Sequence, residues 1–245
     1  MLYPSLLYLM IMYLICTKYS LIRLNPGMAG TKEMLDSIDK CSSINCLVLT
    51  SSMSAAAPVP EPKIKDESHW SDDEAQLKRG SIYGCLKTRQ EKLCTEWAKG
   101  KSIRFCAICP TMVLGAPVEG SSGISTMGSL LRWLTGGRST APNDSMSFID
   151  VKDCAAHHVK ALETNAQGRY FSLVESWHWN DILSTLKELY PEIPLDAQFK
   201  YEGSDIIVPT KFNLKRMESL GVEVIGIKEI LSESVKYLRD SGLLK

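Results

Sequence analysis

Three things are scarce in this 245-residue sequence: excess charge of one sign, glycine in the first third, and regularly spaced cysteine. Lysine plus arginine and aspartate plus glutamate number 28 each, so the formal net charge is zero. A nucleic-acid binder needs a basic surplus or patch to contact phosphates, which argues against that class. Of 16 glycines, only Gly27 and Gly30 precede Gly80, so the first third lacks a glycine-rich loop that could cradle a phosphate.

The cysteines do not form a disulfide framework. Eight are present at irregular spacings, and a chain of this length does not need disulfides to hold its core. Cys106 and Cys109 form a C-x-x-C, a spacing found in redox and zinc sites. They lie in an apolar run that predicts a buried strand, where residues three apart point to opposite faces. No second Cys or His pair completes a zinc site, so we predict no metal and a reducing compartment, the cytoplasm.

The first 17 residues are uncharged and rich in Leu, Ile, Met and Tyr. As a helix they would be roughly 26 Å long, which is marginal for a bilayer core of about 30 Å. They also lack the basic residues that open a signal peptide. Three interpretations stay open: a membrane anchor, a buried strand or helix, or foreign sequence from a misjoined gene. We favour the last two, and membrane association through residues 1–17 is the alternative to a cytoplasmic protein.

Apolar runs alternate with helical patterns along the rest of the chain. Continuous apolar runs are typical of parallel strands covered by helices on both faces, and their alternation with helices predicts an α/β protein. Helices are predicted over residues 30–40, 81–100, 127–134, 151–165, 179–189 and 227–241, and strands or extended segments over residues 44–49, 103–109, 146–151, 170–174 and 206–208.

One predicted helix carries the spacing Y-x-x-x-K. Tyr83 and Lys87 are four residues apart, which puts the phenol and the ammonium on one face, about 5–6 Å apart at Cβ. The ammonium stabilises the phenolate, lowers a tyrosine pKa of about 10 and makes a usable general acid/base. Ser51 and Ser52 follow a predicted buried strand, at the edge where open α/β sheets bind ligands. A Ser-Tyr-Lys set suits hydride transfer to or from a carbonyl, although any amphipathic helix can carry Y-x-x-x-K.

Five stretches in one order are more specific than the triad. They are LVLTSS at 47–52, DESHWSD at 66–72, YGCLKTRQEK at 83–92, CPTMVLG at 109–115 and FIDVKDCAAHH at 148–158. Together they resemble the extended short-chain dehydrogenases/reductases of the NAD-dependent epimerase/dehydratase superfamily. The likeness looks closest to the dihydroflavonol 4-reductase and cinnamoyl-CoA reductase group, and it spans about residues 21–244.

The resemblance implies an incomplete Rossmann-type doubly wound parallel sheet with a small α/β C-terminal substrate lobe. It implies that residues 21–175 form a truncated NAD(P)-binding domain and that residues 176–245, with part of 117–145, form the lobe, while residues 1–20 are an unmatched hydrophobic segment. The sequence has no G-x-x-G-x-x-G, the motif with which the family begins. Gly30-Thr31 matches a pair that comes later in the family's domain, so most of the family's first βαβ units have no counterpart here.

The resemblance also implies a role for each matched residue. Tyr83 is the acid/base, Lys87 holds the ribose hydroxyls and tunes Tyr83, and Ser52 orients the carbonyl. The cofactor-binding residues that it implies are Tyr83, Lys87, Pro110, Val113 and Ser125. We therefore expect an oxidoreductase that uses NADP or NAD on a small-molecule carbonyl or alcohol. A non-catalytic remnant that acts as a binding or scaffold protein is the alternative.

Several other polar and aromatic residues are predicted to be structural. His158 matches a structural position of the family, and Asp66 and Glu67 are expected in a solvated turn. The remaining members of this set are His69, Trp70, His157, Trp177, His178 and Trp179, which are expected to pack rather than react. For residues 177–179 the alternative is that they line the substrate lobe.

Overall fold

A computed structural model describes residues 24–118, 126–138, 140–193, 195, 198–199 and 205–245 of the chain. The expectations for residues 1–20, for membrane association through residues 1–17 and for Ser125 lie outside these residues. The chain divides into two compact units: one holds the described residues up to Pro110 with 156–172 and 213–222, the other holds 111–155, 173–212 and 223–245. None of the helices in the described ranges is long and apolar enough to cross a bilayer.

The elements alternate along the chain. In chain order they are α1 (Leu24–Asp39), β1 (Cys46–Thr50), a 3-10 turn (Met53–Ala56), α2 (Asp73–Lys78), α3 (Ile82–Ala98), β2 (Arg104–Pro110), β3 (Met112–Leu114), α4 (Met127–Leu134), β4 (Thr140–Ala141), β5 (Ser145–Asp150), α5 (Val151–Glu163), β6 (Gly168–Ser172), β7 (Ser176–His178), α6 (Trp179–Leu189), β8 (Gln198–Phe199), α7 (Lys215–Glu218) and α8 (Ile227–Asp240). The predicted α/β class is confirmed, and apart from the start of α1 the long helices and strands lie within a few residues of their predicted bounds.

The first unit is built on a parallel three-stranded sheet in the order β1-β2-β6. The register runs from Cys46 opposite Arg104 to Thr50 opposite Ile108. The central residues of β1 and nearly all of β2 are buried, because α1 and α3 cover one face of the sheet and α5 covers the other. This explains the lack of alternation in the sequence of both strands.

Helix α1 begins earlier than predicted. A start at Gly30 is wrong, since the helix runs from Leu24, and Pro26 is tolerated because it lies in the first turn. Gly27 lies where α1 meets α3: a Cβ atom there would be 2.8 Å from Leu86 Cδ1. A Cβ at Gly30 would meet nothing within 4 Å. The first glycine thus permits close packing of two helices, and neither glycine belongs to a loop.

The second unit has its own sheet and core. In the sheet, β5 pairs in parallel with β3 and antiparallel with β7, and a separate two-stranded pair joins β4 to β8. Helices α4, α6 and α8 supply most of the apolar core, in which the Trp133 and Trp179 rings lie 5.0 Å apart. Residues 206–208 were predicted as extended and belong to no strand, since the described stretch 205–210 has no ladder. The short strands β3, β4, β7 and β8 and helix α2 were not predicted.

The two thiols of the C-x-x-C lie on opposite faces of β2, as predicted. Cys106 packs among apolar residues that include Val48 and Ala161, while Cys109 contacts the Glu91 carboxylate of α3. Burial raises the pKa of Cys106 to about 12 and also raises the pKa of Cys109. Thiols of this kind are poor nucleophiles at neutral pH, which disfavours a redox role.

The two early glycines form a matched pair for a stability test. G30A should raise the free energy of unfolding by about 0.5–1 kcal/mol, because alanine has the better helix propensity and the space is open. G27A should lose that gain, because overpacking against Leu86 costs about 1–3 kcal/mol. Urea unfolding of the full chain measures both changes. An equal gain for the two variants would contradict the close packing of α1 on α3.

Alkylation can test the thiol burial. The Ser43 hydroxyl bonded to Cys41 lowers the pKa of that half-exposed thiol, so Cys41 should react with iodoacetamide before Cys94, Cys106 and Cys109. Peptide mass spectrometry of the native chain, with a urea-unfolded sample as control, measures the order of labelling. Early labelling of Cys106 or Cys109 would contradict their placement.

Candidate active site

The carboxyl edge of the first unit's parallel sheet positions most of the predicted site residues. Ser52 comes two residues after the end of β1, and Pro110 is the last residue of β2. The Ser51 backbone N–H donates to the Ile108 carbonyl at 2.7 Å, so the pairing of the strands continues past Thr50. Ligands of open α/β sheets bind at this edge.

Ser52 is fixed by the turn that it begins. Its hydroxyl oxygen accepts a hydrogen bond from the Ser54 backbone N–H at 3.1 Å and caps the 3-10 turn. This bond uses one of the two lone pairs of the oxygen and leaves the hydroxyl proton for donation. The side chain is therefore held in one orientation while its donor is available to a carbonyl oxygen.

Tyr83 and Lys87 lie one turn apart on α3. The Lys87 ammonium is 6.0 Å from the centre of the Tyr83 ring, in agreement with the predicted helical spacing. The same ammonium donates to the Thr50 backbone carbonyl at 2.9 Å. Lys87 is buried, whereas Tyr83 is 37% exposed, so the phenol can be reached from solvent. One hydrogen bond thus ties the Tyr-Lys helix to the strand end that carries Ser52.

Burial changes the acidity of Lys87. Desolvation of the ammonium lowers its pKa from 10.5 to about 8, against opposing electrostatic effects of Cys109 and Glu91. The ammonium form still predominates at neutral pH, because the ratio of the two forms changes tenfold for each pH unit. The group beside Tyr83 is therefore a cation at pH 7 and becomes neutral as the pH rises through 8.

The other predicted cofactor contacts lie elsewhere in the chain. Val113 belongs to the second unit, on β3, and its carbonyl accepts a hydrogen bond from the Thr126 hydroxyl. Ser125 is outside the described residues. The first unit thus brings together Ser52, Tyr83, Lys87 and Pro110. The cofactor roles of Pro110, Val113 and Ser125 stay predictions from the resemblance.

A buried ion pair beneath this edge was not predicted. The Glu91 carboxylate, one turn after Lys87 on α3, accepts hydrogen bonds from the Ser51 hydroxyl and from Arg169 Nε of β6. Arg169 also donates to three backbone carbonyls, at 2.6 Å for His69, 2.9 Å for Glu67 and 3.2 Å for Ala55. The sequence did contain a signal for Glu91: it is a carboxylate four residues after Lys87, on the same face of the helix, within the stretch 83–92.

The acidic turn is not uniformly solvated. Glu67 was expected to be exposed, but it is buried, and its carboxylate accepts the Phe171 backbone N–H at 3.2 Å. Burial raises the pKa of this carboxyl group. Its neighbour Asp66 bonds the Ser68 hydroxyl, which lowers the Asp66 pKa. The expectation of a solvated turn is wrong for Glu67, because β6 lies close enough to use its carboxylate.

The histidines and tryptophans of the first unit have structural contacts. His158 Nε2 and the Thr50 hydroxyl share a hydrogen bond of 2.9 Å, and His157 Nδ1 shares one of 2.9 Å with the Ser172 hydroxyl. Burial lowers the pKa of His157 to about 4, so its ring is neutral at pH 7. The Trp70 ring lies 3.8 Å from the Arg169 guanidinium. These side chains pack around the edge, in agreement with their predicted structural roles.

The aromatic group around residue 178 is part of the second unit. Trp179 is in its apolar core, and His178 begins α6 by accepting the Asn180 backbone N–H at 3.1 Å. Trp177 is half-buried against the same core. A helix-capping histidine between two packed tryptophans explains the cluster without a chemical role.

The donors at the edge fit the nicotinamide-ribose part of a dinucleotide. Lys87 carries three N–H donors, and among the described residues the structure gives its ammonium one hydrogen bond, to Thr50. Ribose hydroxyls are suitable acceptors for such a donor. The described glycines before β1 both lie inside α1, so no glycine-rich phosphate loop is present in that stretch.

Comparison with known proteins agrees with this fold. A family model described as the NAD dependent epimerase/dehydratase family matches residues 23–173. The chain is 32% identical over 225 residues to cinnamoyl-CoA reductase 2 of Arabidopsis thaliana, covering 90% of this chain and 67% of that protein. It is 29% identical over 219 residues to cinnamoyl-CoA reductase 1 of Oryza sativa subsp. japonica, covering 88% and 64%. The chain thus spans about two thirds of the length of these relatives.

The solved structures agree on the architecture. Yeast methylglyoxal/isovaleraldehyde reductase complexed with NADPH superposes with a TM-score of 0.76 at 22% identity, over 93% of this chain and 75% of that one. A structural likeness at this identity concerns the fold alone, and the likeness confirms the predicted Rossmann-type class. The family's description confirms a nicotinamide dinucleotide as the class of cofactor. Because the family model covers more than half of the chain, the chain belongs to the NAD dependent epimerase/dehydratase family.

Proposed function

We propose that this chain reduces a ketone or aldehyde, or oxidises the corresponding alcohol, by hydride transfer with NADP(H) or NAD(H). The observation that carries the proposal is the Lys87 ammonium, which faces Tyr83 and bonds the strand end next to Ser52. The names of the relatives, cinnamoyl-CoA reductases, support a reductase. The neighbouring fold solved with NADPH supports NADP as the first cofactor to test.

The proposed chemistry divides among three side chains. A bound nicotinamide dinucleotide supplies the hydride in the direction of reduction. Ser52 donates a hydrogen bond to the substrate carbonyl oxygen and orients it. Tyr83 transfers its phenolic proton to that oxygen, and the Lys87 ammonium stabilises the phenolate left behind. The exposure of Tyr83 lets solvent return the proton.

The second candidate is a non-catalytic binding or scaffold protein. It is favoured by the position of Gly27 and Gly30, which are inside α1 and so supply no phosphate loop. The two candidates differ in nucleotide binding. A ligand that binds the native state raises its stability by RT ln(1 + [L]/Kd), so a thermal shift of the full chain with NADPH and NADH separates them. No shift at millimolar concentrations favours the scaffold.

Removing the phenolic hydroxyl tests the proposed acid/base. Y83F should lower kcat by about 10²- to 10⁴-fold, the usual contribution of a general acid, with an unchanged melting temperature. Loss of NADPH absorbance with a panel of aliphatic and aromatic aldehydes, ketones and cinnamoyl thioesters measures the rate. Y237F in α8 is the matched control and should retain full activity. Equal activity of Y83F and the wild-type chain would refute the role of Tyr83.

The pH profile tests the role of Lys87. The folded pKa of about 8 means that the ammonium is complete below pH 7 and is lost as the pH rises above 8. We therefore expect kcat to fall on the alkaline side with a midpoint near this value. Steady-state rates between about pH 6 and 10 measure this alkaline limb of the pH profile of kcat. A rate that stays level up to pH 10 would show that the charge on Lys87 does not assist Tyr83.

A further inference from the structure

We propose that Glu91 is a positioning residue, which holds the backbone of residues 50–52 through Ser51 and keeps a negative charge near Lys87. This inference rests on the proposed function. Glu91 is not a member of the Ser-Tyr-Lys set, and its buried contacts hold the chain segment that carries Ser52.

The contacts of the ion pair bracket Ser52 on both sides. On one side, the Ser51 hydroxyl donates to the Glu91 carboxylate. On the other, the Ala55 carbonyl, within the turn that Ser52 begins, accepts from Arg169 at 3.2 Å. Because Arg169 Nε bonds the same Glu91 carboxylate, the residue before Ser52 and the turn after it are fixed to one buried pair.

The same pair also supports Lys87. The acceptor of the Lys87 ammonium is the Thr50 carbonyl, which belongs to the peptide bond between Thr50 and Ser51. A rotation of Ser51 away from Glu91 would turn that carbonyl and weaken its bond to the ammonium. Ser51 is nearly fully buried, so water does not offer its hydroxyl a substitute acceptor.

The charges around Lys87 give the proposal an electrostatic signature. Lys87 is faced by Tyr83 and Glu91 from its own helix, by Cys109 from β2 and by the Thr50 carbonyl from β1. Arg169 of β6 is paired with Glu91 and offsets part of its charge. The Glu91 carboxylate favours the ammonium form, so its neutralisation should move the alkaline limb of kcat toward acid. Loss of the Ser51 hydroxyl keeps that carboxylate charge, so it should move the limb toward acid less than neutralisation of Glu91 does.

Two variants separate positioning from charge. S51A keeps the carboxylate and should lower kcat by between about 10- and 100-fold, the cost of a misplaced reacting group, with a smaller shift of the alkaline midpoint than in E91Q. E91Q should lower kcat and also move the midpoint toward acid by about half a pH unit or more. T31A removes another buried hydroxyl from the same unit, on α1, and should leave kcat unchanged.

A folding failure of E91Q would follow from a buried guanidinium without its partner. The double variant E91Q/R169M removes both charges and is the substitute, with the same expected direction of the midpoint. Circular dichroism and the melting temperature establish that each variant is folded before its rate is measured.

The outcome is decided by two readouts. Y83F is measured beside the others: if it stays active, the proposed function fails, and if it is inactive while S51A and the charge variants match the wild type, the positioning role fails. NMR titration of ¹³C-labelled lysine, assigned with K87R, follows the Lys87 pKa without turnover. A Lys87 pKa that does not fall in E91Q or in the double variant would overturn the electrostatic part even in a chain that shows no activity.

Discussion

The ion pair between Glu91 and Arg169 is buried from solvent, with side-chain exposures of 0% and 7%. A buried charge that loses its partner destabilises a protein strongly, so the elements that carry the two groups must meet in one register. Helix α3 supplies the carboxylate, and β6 supplies the guanidinium. Ser51 at the end of β1, the 3-10 turn and the loop over residues 67–69 supply further hydrogen bonds to the two groups. The ion pair therefore keeps its hydrogen-bond partners only when these elements of the first unit are assembled in register.

The proposed reacting groups are carried by regular elements rather than by long loops. Tyr83 and Lys87 share one face of a 17-residue helix, and Ser52 is fixed by strand pairing before it and a turn after it. Burial lowers the pKa of Lys87, and the Glu91 carboxylate counteracts this effect. The pKa near 8 thus results from two opposing effects of one buried environment. His157 shows the effect of burial without such compensation, since its pKa falls to about 4.

Local sequence patterns predicted most of the fold and part of the candidate site. Apolar runs marked β1 and β2 because both faces of a parallel sheet are covered, and the four-residue spacing of Tyr83 and Lys87 placed them on one face of α3. Three-residue strands such as β3 and β7 are too short to leave a periodic signal. The start of α1 was misplaced because Gly30 was interpreted as the helix boundary, whereas Gly27 and Gly30 both lie inside the helix. Glu91 and Arg169 are 78 residues apart, and a contact over such a distance leaves no mark in either local sequence.

The partner of the Lys87 ammonium is a main-chain carbonyl, and every amino acid has one. The side chain of Thr50 is used for another purpose, a hydrogen bond with His158. A substitution at position 50 would therefore keep the anchor of the lysine, although it would affect the hydrogen bond to His158 of α5. Position 51 has no such latitude, because its contribution is made through the side chain. Two adjacent residues at one strand end thus support the site in different ways: position 50 holds the lysine through its main chain, and position 51 holds Glu91 through a single hydroxyl group.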